Sequence, residues 1–230
     1  MAVSVEQSLE KSTRIPPLEN GDRLTRHEFE RRYTSMPHIK KAELIEGIVY
    51  MASPVRSRSH GKPHGKLMTW LGVYEAATPG VDVNDNATVR LDADNEPQPD
   101  ALLRIELNGN SRVSEDDYIE GAPELIAEVA GSSAANDLYD KKKVYRRSGV
   151  KEYIVWQTLD NKLDWLCLQN DEYISLEADV KGVIKSQVYP GLWLDVPALL
   201  TGDMKRVLDV LQQGLTSPSH ASFLQKLAQS

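Results

Sequence analysis

Glu128 lies in the middle of the apolar run ELIAEVA (residues 124–130). A buried carboxylate is costly unless it is paired or bound to a metal, so its position asks for a partner. Two candidates stand elsewhere in the chain: Asp100, behind Pro99 at the mouth of a predicted strand, and Lys141, on the helix predicted to follow ELIAEVA. Two carboxylates brought together repel, and one tends to keep a proton. A Mg²⁺ or Mn²⁺ ion removes that conflict, because it takes oxygen ligands and retains several waters. A divalent ion polarises a phosphoryl oxygen and lowers the pKa of a water. A lysine beside it orients or deprotonates that water and offsets charge in the transition state. The chemistry these residue types suggest is hydrolysis of a phosphodiester. Each residue also has a plain structural reading: Asp100 as a turn cap, Glu128 as a paired structural acid, and Lys141 as part of a solvated face of three consecutive lysines.

The elements that must position them follow from periodicity. Residues 24–35 predict a short helix, with Thr25 as N-cap and Glu28 completing a capping box. Leu44, Ile48 and Tyr50, with Glu46-Gly47 between them, predict a hairpin or bulged strand. Leu67, Trp70, Leu71 and Tyr74 have the spacing of an amphipathic helix over 59–78. Val81, Val83, Val89 and Leu91 alternate with polar residues as a half-buried strand does. ALLRIEL, ELIAEVA, EYIVWQ and KLDWLCLQ predict further strands, with a turn at Asp160-Asn161. A helix over 134–148 stops at Gly149. Weaker strands are read at 172–176 and 183–188, PGLWLDVPALL closes the sheet region, and two helices end the chain. The order predicts an α/β domain, a mixed sheet flanked by helices. Its expected organisation is a flexible lead-in over 1–20, the main domain over 21–201, and a helical extension of it over 202–230.

Bulk properties narrow the function. With 230 residues the chain can bury one large core. Its apolar runs are too short to span a bilayer, it shows no signal peptide, and Cys167 alone cannot form an internal disulfide; the expected compartment is the cytoplasm. A net charge of −7 argues against a chain coated in phosphate-binding cations. It leaves room for local basic clusters such as Lys40-Lys41, Arg56-Ser57-Arg58, Lys141-Lys142-Lys143 and Arg146-Arg147, each of which reads first as solvated surface.

The ordered set AELIEG (42–47), MASP (51–54), His60, PQPDALL (97–103), APELIAEVAGSS (122–133), Asp137, Lys141, Tyr145, GVKEYIVW (149–156) and SQVYPGLWLDVPALL (186–200) resembles the PD-(D/E)XK nuclease superfamily. Within that superfamily it resembles the Uma-two family, whose members are assigned as endonucleases. The resemblance implies a restriction-endonuclease-like fold and a Mg²⁺- or Mn²⁺-dependent endonuclease acting on nucleic acid, with DNA the expected form. It implies Asp100 and Glu128 as metal ligands and Lys141 as the water-positioning group. It further implies Glu43 as a third acid, and His60 at the head of the long helix. The superfamily's lysine is usually two residues after the Glu, where this chain has Ala130; here Lys141 takes that part, with Asp137 one turn earlier as its possible partner. Gly131 stands where relatives more often have Ser, and Ser132 is the candidate substitute.

His64, four residues after His60, shares its face on a helix, although Pro63 intervenes. The pair matches a metal-binding spacing, but a capping or surface role is the favoured reading. His60, His64, Lys142 and Arg146 are candidate nucleic-acid contacts. Tyr145, Trp156, Trp165 and Trp193 read as packing residues, and Glu152 as a structural contact. Nucleases of this type often pair, which makes a homodimer the expected assembly. Two rival readings keep the fold and drop the chemistry: a silent nucleic-acid-binding module, and an interaction protein that offers LDVLQQGL near its C-terminus as a partner helix.

Overall fold

The structure, a computed structural model, describes residues 15–51, 54–131 and 137–229, without the side chain of Asp137. Most of the expected lead-in, Ala52 and Ser53 of MASP, Ser132 and Ser133, and the Asp137 side chain expected to pair with Lys141 lie outside the described residues.

The chain opens with helix α1 (Arg26–Thr34) and the hairpin β1 (Ala42–Ile45) and β2 (Ile48–Met51). Glu46 and Gly47 turn it with φ of 52° and 72°, the two positive angles of a tight hairpin turn. Thr25 makes no side-chain cap bond. The capping box fails because Glu28 is taken by Arg31 and Arg32, each at 2.7 Å. Phe29, Leu44 and Val49 close a small core of their own.

A π-helical turn (Ser57–Gly61) leads into α2 (Lys62–Ala76). Strands β3 (Val81–Asp85), β4 (Val89–Arg90), β5 (Ala101–Ile105), β6 (Ser111–Val113), β7 (Ile119–Gly121) and β8 (Leu125–Ala130) follow. A second π-helical turn (Asp137–Lys141) runs into α3 (Lys142–Ser148), which ends at the left-handed Gly149. Next come β9 (Glu152–Gln157), β10 (Lys162–Gln169), β11 (Glu172–Ser175), β12 (Val183–Lys185) and β13 (Trp193–Asp195). Helices α4 (Val196–Thr201), α5 (Met204–Leu215) and α6 (Pro218–Leu227) complete the fold.

Among the described residues the largest sheet has six strands in the order β11-β10-β9-β8-β5-β3. Only its β8–β9 pair is parallel; its other pairs are antiparallel. This is the mixed sheet the alternating apolar runs predicted. One face, carrying Leu125, Ala127, Val129, Ile154 and Trp156, packs against Leu67, Trp70, Leu71 and Tyr74 of α2 and Val207 and Leu211 of α5. The opposite face, carrying Ile126, Ala130, Tyr153 and Val155, packs under Tyr145 of α3 and against Val89 and Ile119 of a separate sheet ordered β4-β7-β6. ELIAEVA is therefore apolar on both faces, as a strand covered on both sides must be.

Besides the capping box, four sequence expectations need correction. The half-buried strand read from Val81, Val83, Val89 and Leu91 is two strands in different sheets, β3 in the six-stranded sheet and β4 beside β7, because the chain turns between Asp85 and Val89. Strands β6 and β7 were not predicted; at three residues each they carry too little alternation to read. PGLWLDVPALL does not close the main sheet: β13 pairs with β12 as a separate ribbon. Asp195 then accepts from the Ala198 N–H at 3.0 Å, capping α4 with Pro197 in its first turn. LDVLQQGL does not present an uncovered apolar stripe: its Val210, Leu211 and Gly214 are buried in the chain's own core. Among the described residues no helix is long and apolar enough to cross a membrane.

Leu44 exchanges backbone bonds with Glu96 at 2.8 and 3.1 Å, tying the hairpin to the segment that enters β5. The Glu96 side chain is buried. Burial pushes its carboxyl up, and the neighbouring Glu30 carboxyl adds to the effect against Arg90 and Arg26, to about 8. Folded chains hold this proton at pH values where unfolded chains have released it. Its stabilising contribution is therefore full below the ordinary glutamate range and drains away as pH rises through about 8. Glu96→Gln removes that dependence. The unfolding free energy from urea titrations at mildly acidic and mildly alkaline pH should fall less in the variant, by on the order of 1–2 kcal/mol. An unchanged slope of stability against pH would refute the assignment.

Candidate active site

Asp100 and Glu128 meet because of strand register. Strands β5 and β8 pair Ala101 with Ala127 and Leu102 with Ile126. One step further the antiparallel register sets Asp100 opposite Glu128, on the face that also carries Leu102 and Ile126. The Asp100 N–H points at Glu128 Oε2 at 3.3 Å. In return Asp100 Oδ2 accepts from the Val129 N–H at 2.8 Å. Both acids are buried, at 4% and 2% exposure. Pro99 suits this entry, since it needs no ladder partner at the start of a strand.

Lys141 and Tyr145 reach down from the second π-helical turn and α3. The Lys141 Nζ lies 2.9 Å from Glu128 Oε1 and 2.8 Å from Glu43 Oε1. The Tyr145 hydroxyl donates to the same Glu128 oxygen at 3.0 Å. Four residues apart, these two side chains occupy one helical face. Lys141 is 6% exposed, which excludes the solvated-face reading. Glu43 arrives on β1, and its Oε1 also accepts from the Gln98 N–H at 2.7 Å. Glu46, three residues on and in the turn, points elsewhere, to Arg147 at 2.7 Å and Lys143 at 3.4 Å.

A second group of cations approaches Asp100 from the other side. His60 Nε2 is 3.4 Å and Lys41 Nζ 3.6 Å from Asp100 Oδ1. Burial pushes the Asp100 carboxyl up. The hydrogen bond from His60, the charges of Lys41 and His60 and the Val129 N–H outweigh burial and bring it down to about 2. The same contact with Asp100 raises the His60 imidazole, against the opposing effect of burial. His60 Nδ1 meets the Val129 carbonyl at 3.0 Å, which fixes the ring. His64 stacks on it at 5.7 Å, its Nε2 2.9 Å from the Asp100 carbonyl oxygen and 3.2 Å from Asp85 Oδ1. Neither histidine caps a helix or sits on open surface, so the favoured sequence reading of that pair is corrected. Pro63 occupies the first turn of α2, where a missing N–H costs nothing.

The structure brings Asp100, Glu128, Lys141, Glu43, His60 and His64 together. It holds Arg146 at the β10–β11 turn, bonded to Glu172 at 2.6 Å and the Asp171 carbonyl at 2.8 Å. Lys142 faces a neighbouring cavity. Two participants were missed by sequence reasoning. Lys41 was read as part of a surface pair. Tyr145 was read as core; its ring is core, but its hydroxyl is not, and its spacing from Lys141 was the available signal.

Two other buried acids give the contrast. Glu124 accepts from the Asn110 and Ile105 N–H groups at 2.6 and 2.9 Å. Glu152 accepts from the Gln187 and Val188 N–H groups, the Ser186 hydroxyl and the Trp165 indole. Those are structural fastenings by fixed backbone and core groups. Glu128 differs in its partners: a lysine ammonium and a tyrosine hydroxyl on one oxygen, and a second buried carboxylate, Asp100, directly beside it. Among the described residues no three His, Cys, Asp or Glu side chains converge to hold a metal. Two carboxylates nevertheless fit an ion that takes one or two from the protein and the rest from water. The Asp100 oxygen facing His60 and Lys41 meets them at 3.4 and 3.6 Å, both of them side-chain rather than backbone partners.

Among solved structures the chain is similar to one described as a putative nuclease belonging to DUF820, from Anabaena variabilis. The two are 12% identical with a TM-score of 0.57, over 74% of this chain and 96% of that one. At that identity the likeness concerns the fold, which is nuclease-like. No curated protein sequence matches the chain. Residues 26–197 match the Uma2 family, whose description reads "Putative restriction endonuclease". That span takes in the hairpin bearing Glu43, both strands bearing the paired acids and the helix above them, and the chain belongs to the Uma2 family.

Proposed function

We propose that the protein is a divalent-cation-dependent endonuclease that hydrolyses phosphodiester bonds in nucleic acid, with DNA the expected substrate. The observation that carries this reading is the juxtaposition of Asp100 and Glu128 across adjacent strands with the Lys141 nitrogen 2.9 Å from Glu128. Asp100 and Glu128 would hold Mg²⁺ or Mn²⁺. A bound ion supplies Lewis-acid polarisation of the phosphoryl oxygen and a water of lowered pKa. Lys141, bracketed by Glu43 and Glu128, places a donor beside the reacting phosphate and offsets the charge that develops there. Tyr145 fixes the Glu128 carboxylate. Lys41 and His60 place positive charge next to Asp100, where an incoming phosphate needs it.

Incubation of plasmid or oligonucleotide DNA with Mg²⁺ or Mn²⁺ tests the proposal. Cleavage is expected, lost on chelation and reduced at least about a hundredfold in Asp100→Ala. Activity that survives both Asp100→Ala and Glu128→Ala would refute it. The silent binding module is favoured by a single observation, the cations already beside Asp100. It would show as nucleic-acid binding without cleavage and without affinity for either ion.

A further inference from the structure

The row of residues that holds Glu128 continues across the sheet. Glu128 on β8 pairs in register with Val155 on β9, and Val155 with Asp164 on β10. All three therefore point to the face covered by α3. Neighbouring strands are about 4.8 Å apart, so the floor beside Glu128 lies within the reach of one nucleotide. Above that floor is a cavity of about 280 Å³. Leu138 and Leu166 give it an apolar lining over the buried Val155, and Asp164 and Ser175 offer polar edges. Its rim carries Lys142, adjacent to Lys141 of the catalytic cluster, and Tyr139, whose side chain is 73% exposed.

An exposed aromatic ring beside an apolar floor, with ammonium groups at the rim and hydrogen-bonding groups at one edge, matches a nucleotide: a π face, a polar base edge and a phosphate. Single-stranded recognition uses these parts, stacking for the base and cations for the backbone. A duplex base would reach such a cavity by leaving its stack. Asp164 is held by Gln157 at 2.6 Å and Lys162 at 2.8 Å, so the edge it presents is fixed rather than mobile.

We propose that this cavity is a nucleobase subsite: it seats one base of the bound strand against Tyr139, with the adjoining phosphate on Lys142. The identity of the strand rests on the nuclease reading above; the stacking does not. The test uses a short single-stranded oligonucleotide containing 2-aminopurine, whose fluorescence falls on stacking, titrated with the full chain in chelator. Saturable quenching is expected with the native protein. Tyr139→Ala should weaken binding about tenfold and remove the quenching, and Tyr139→Phe should restore both, as a ring-stacking role requires. Absence of saturable quenching by the native chain, or equal quenching by Tyr139→Ala, would overturn the subsite. The same proteins assayed for cleavage with Mg²⁺ separate the two claims. Quenching without cleavage removes the nuclease reading and leaves the subsite. Cleavage by a native chain that gives no saturable quenching removes the subsite and leaves the nuclease.

Discussion

Glu128→Gln is expected to lower metal-dependent cleavage at least about a thousandfold, roughly 4 kcal/mol of lost transition-state stabilisation, while the chain stays folded. The substitution keeps the shape and an acceptor oxygen for Lys141 and Tyr145, which lie 2.9 and 3.0 Å from the carboxylate. It removes the negative charge that an ion would need. Neutralising one partner of a buried pair should cost about 1–3 kcal/mol of stability, because Lys141 retains Glu43 at 2.8 Å. Calorimetric titration with Mn²⁺ should show affinity lost. Glu152→Gln is the matched control, since Glu152 is equally buried but is fastened to Trp165, Ser186 and the backbone of residues 187 and 188. It should lower the unfolding midpoint and leave Mn²⁺ affinity intact. If the Glu128 variant binds Mn²⁺ as the native chain does, the site is not a metal site.

How much of this was legible in sequence depends on whether the signal is local. Glu128 announced itself because a carboxylate inside a doubly covered strand breaks the pattern of its neighbours. The strands, α2 and the Glu46-Gly47 turn were legible for the same reason: periodicity and turn chemistry act over a few residues. Lys41 was not legible. Its approach to Asp100 depends on the bridge between Leu44 and Glu96, a pairing across 52 positions with no local signature. Tyr145 was half legible, since apolar spacing places the ring but says nothing of what the hydroxyl meets. The histidine pair was misread because surface and capping roles are the commoner fates of a histidine at a helix head. What overrode them was the passage of α2's entry turn over the ends of β5 and β8, which puts His60 against the Val129 carbonyl. The short strands β6 and β7 failed for lack of length rather than for contrary chemistry.

The lysine separates metal holding from catalysis. Lys141→Met retains Asp100 and Glu128 but removes the cation that lies within 2.9 Å of both Glu43 and Glu128. Glu43 and Glu128, which Lys141 bridges, then face each other in a buried setting. At about 5 Å and an effective dielectric near 20 their repulsion is roughly 3 kcal/mol. One of them should take up a proton, with its pKa raised in the folded state. The variant should accordingly be less stable than the native chain, and its deficit should widen as pH rises through the carboxylate range, because the folded form then loses a proton it prefers to keep. A divalent cation relieves the same repulsion. Added Mg²⁺ should therefore raise the melting temperature of Lys141→Met more than that of the native chain, even as cleavage falls by about 10²–10⁴. Lys141→Arg, which keeps the charge, should recover most of the stability and little of the activity, since a planar guanidinium does not reproduce the point donor. Absence of any Mg²⁺ stabilisation in both the methionine variant and the native chain would mean that the acids near Lys141 do not bind the ion. Undiminished cleavage by that variant would instead remove the lysine from the reaction and leave the paired carboxylates to account for it alone.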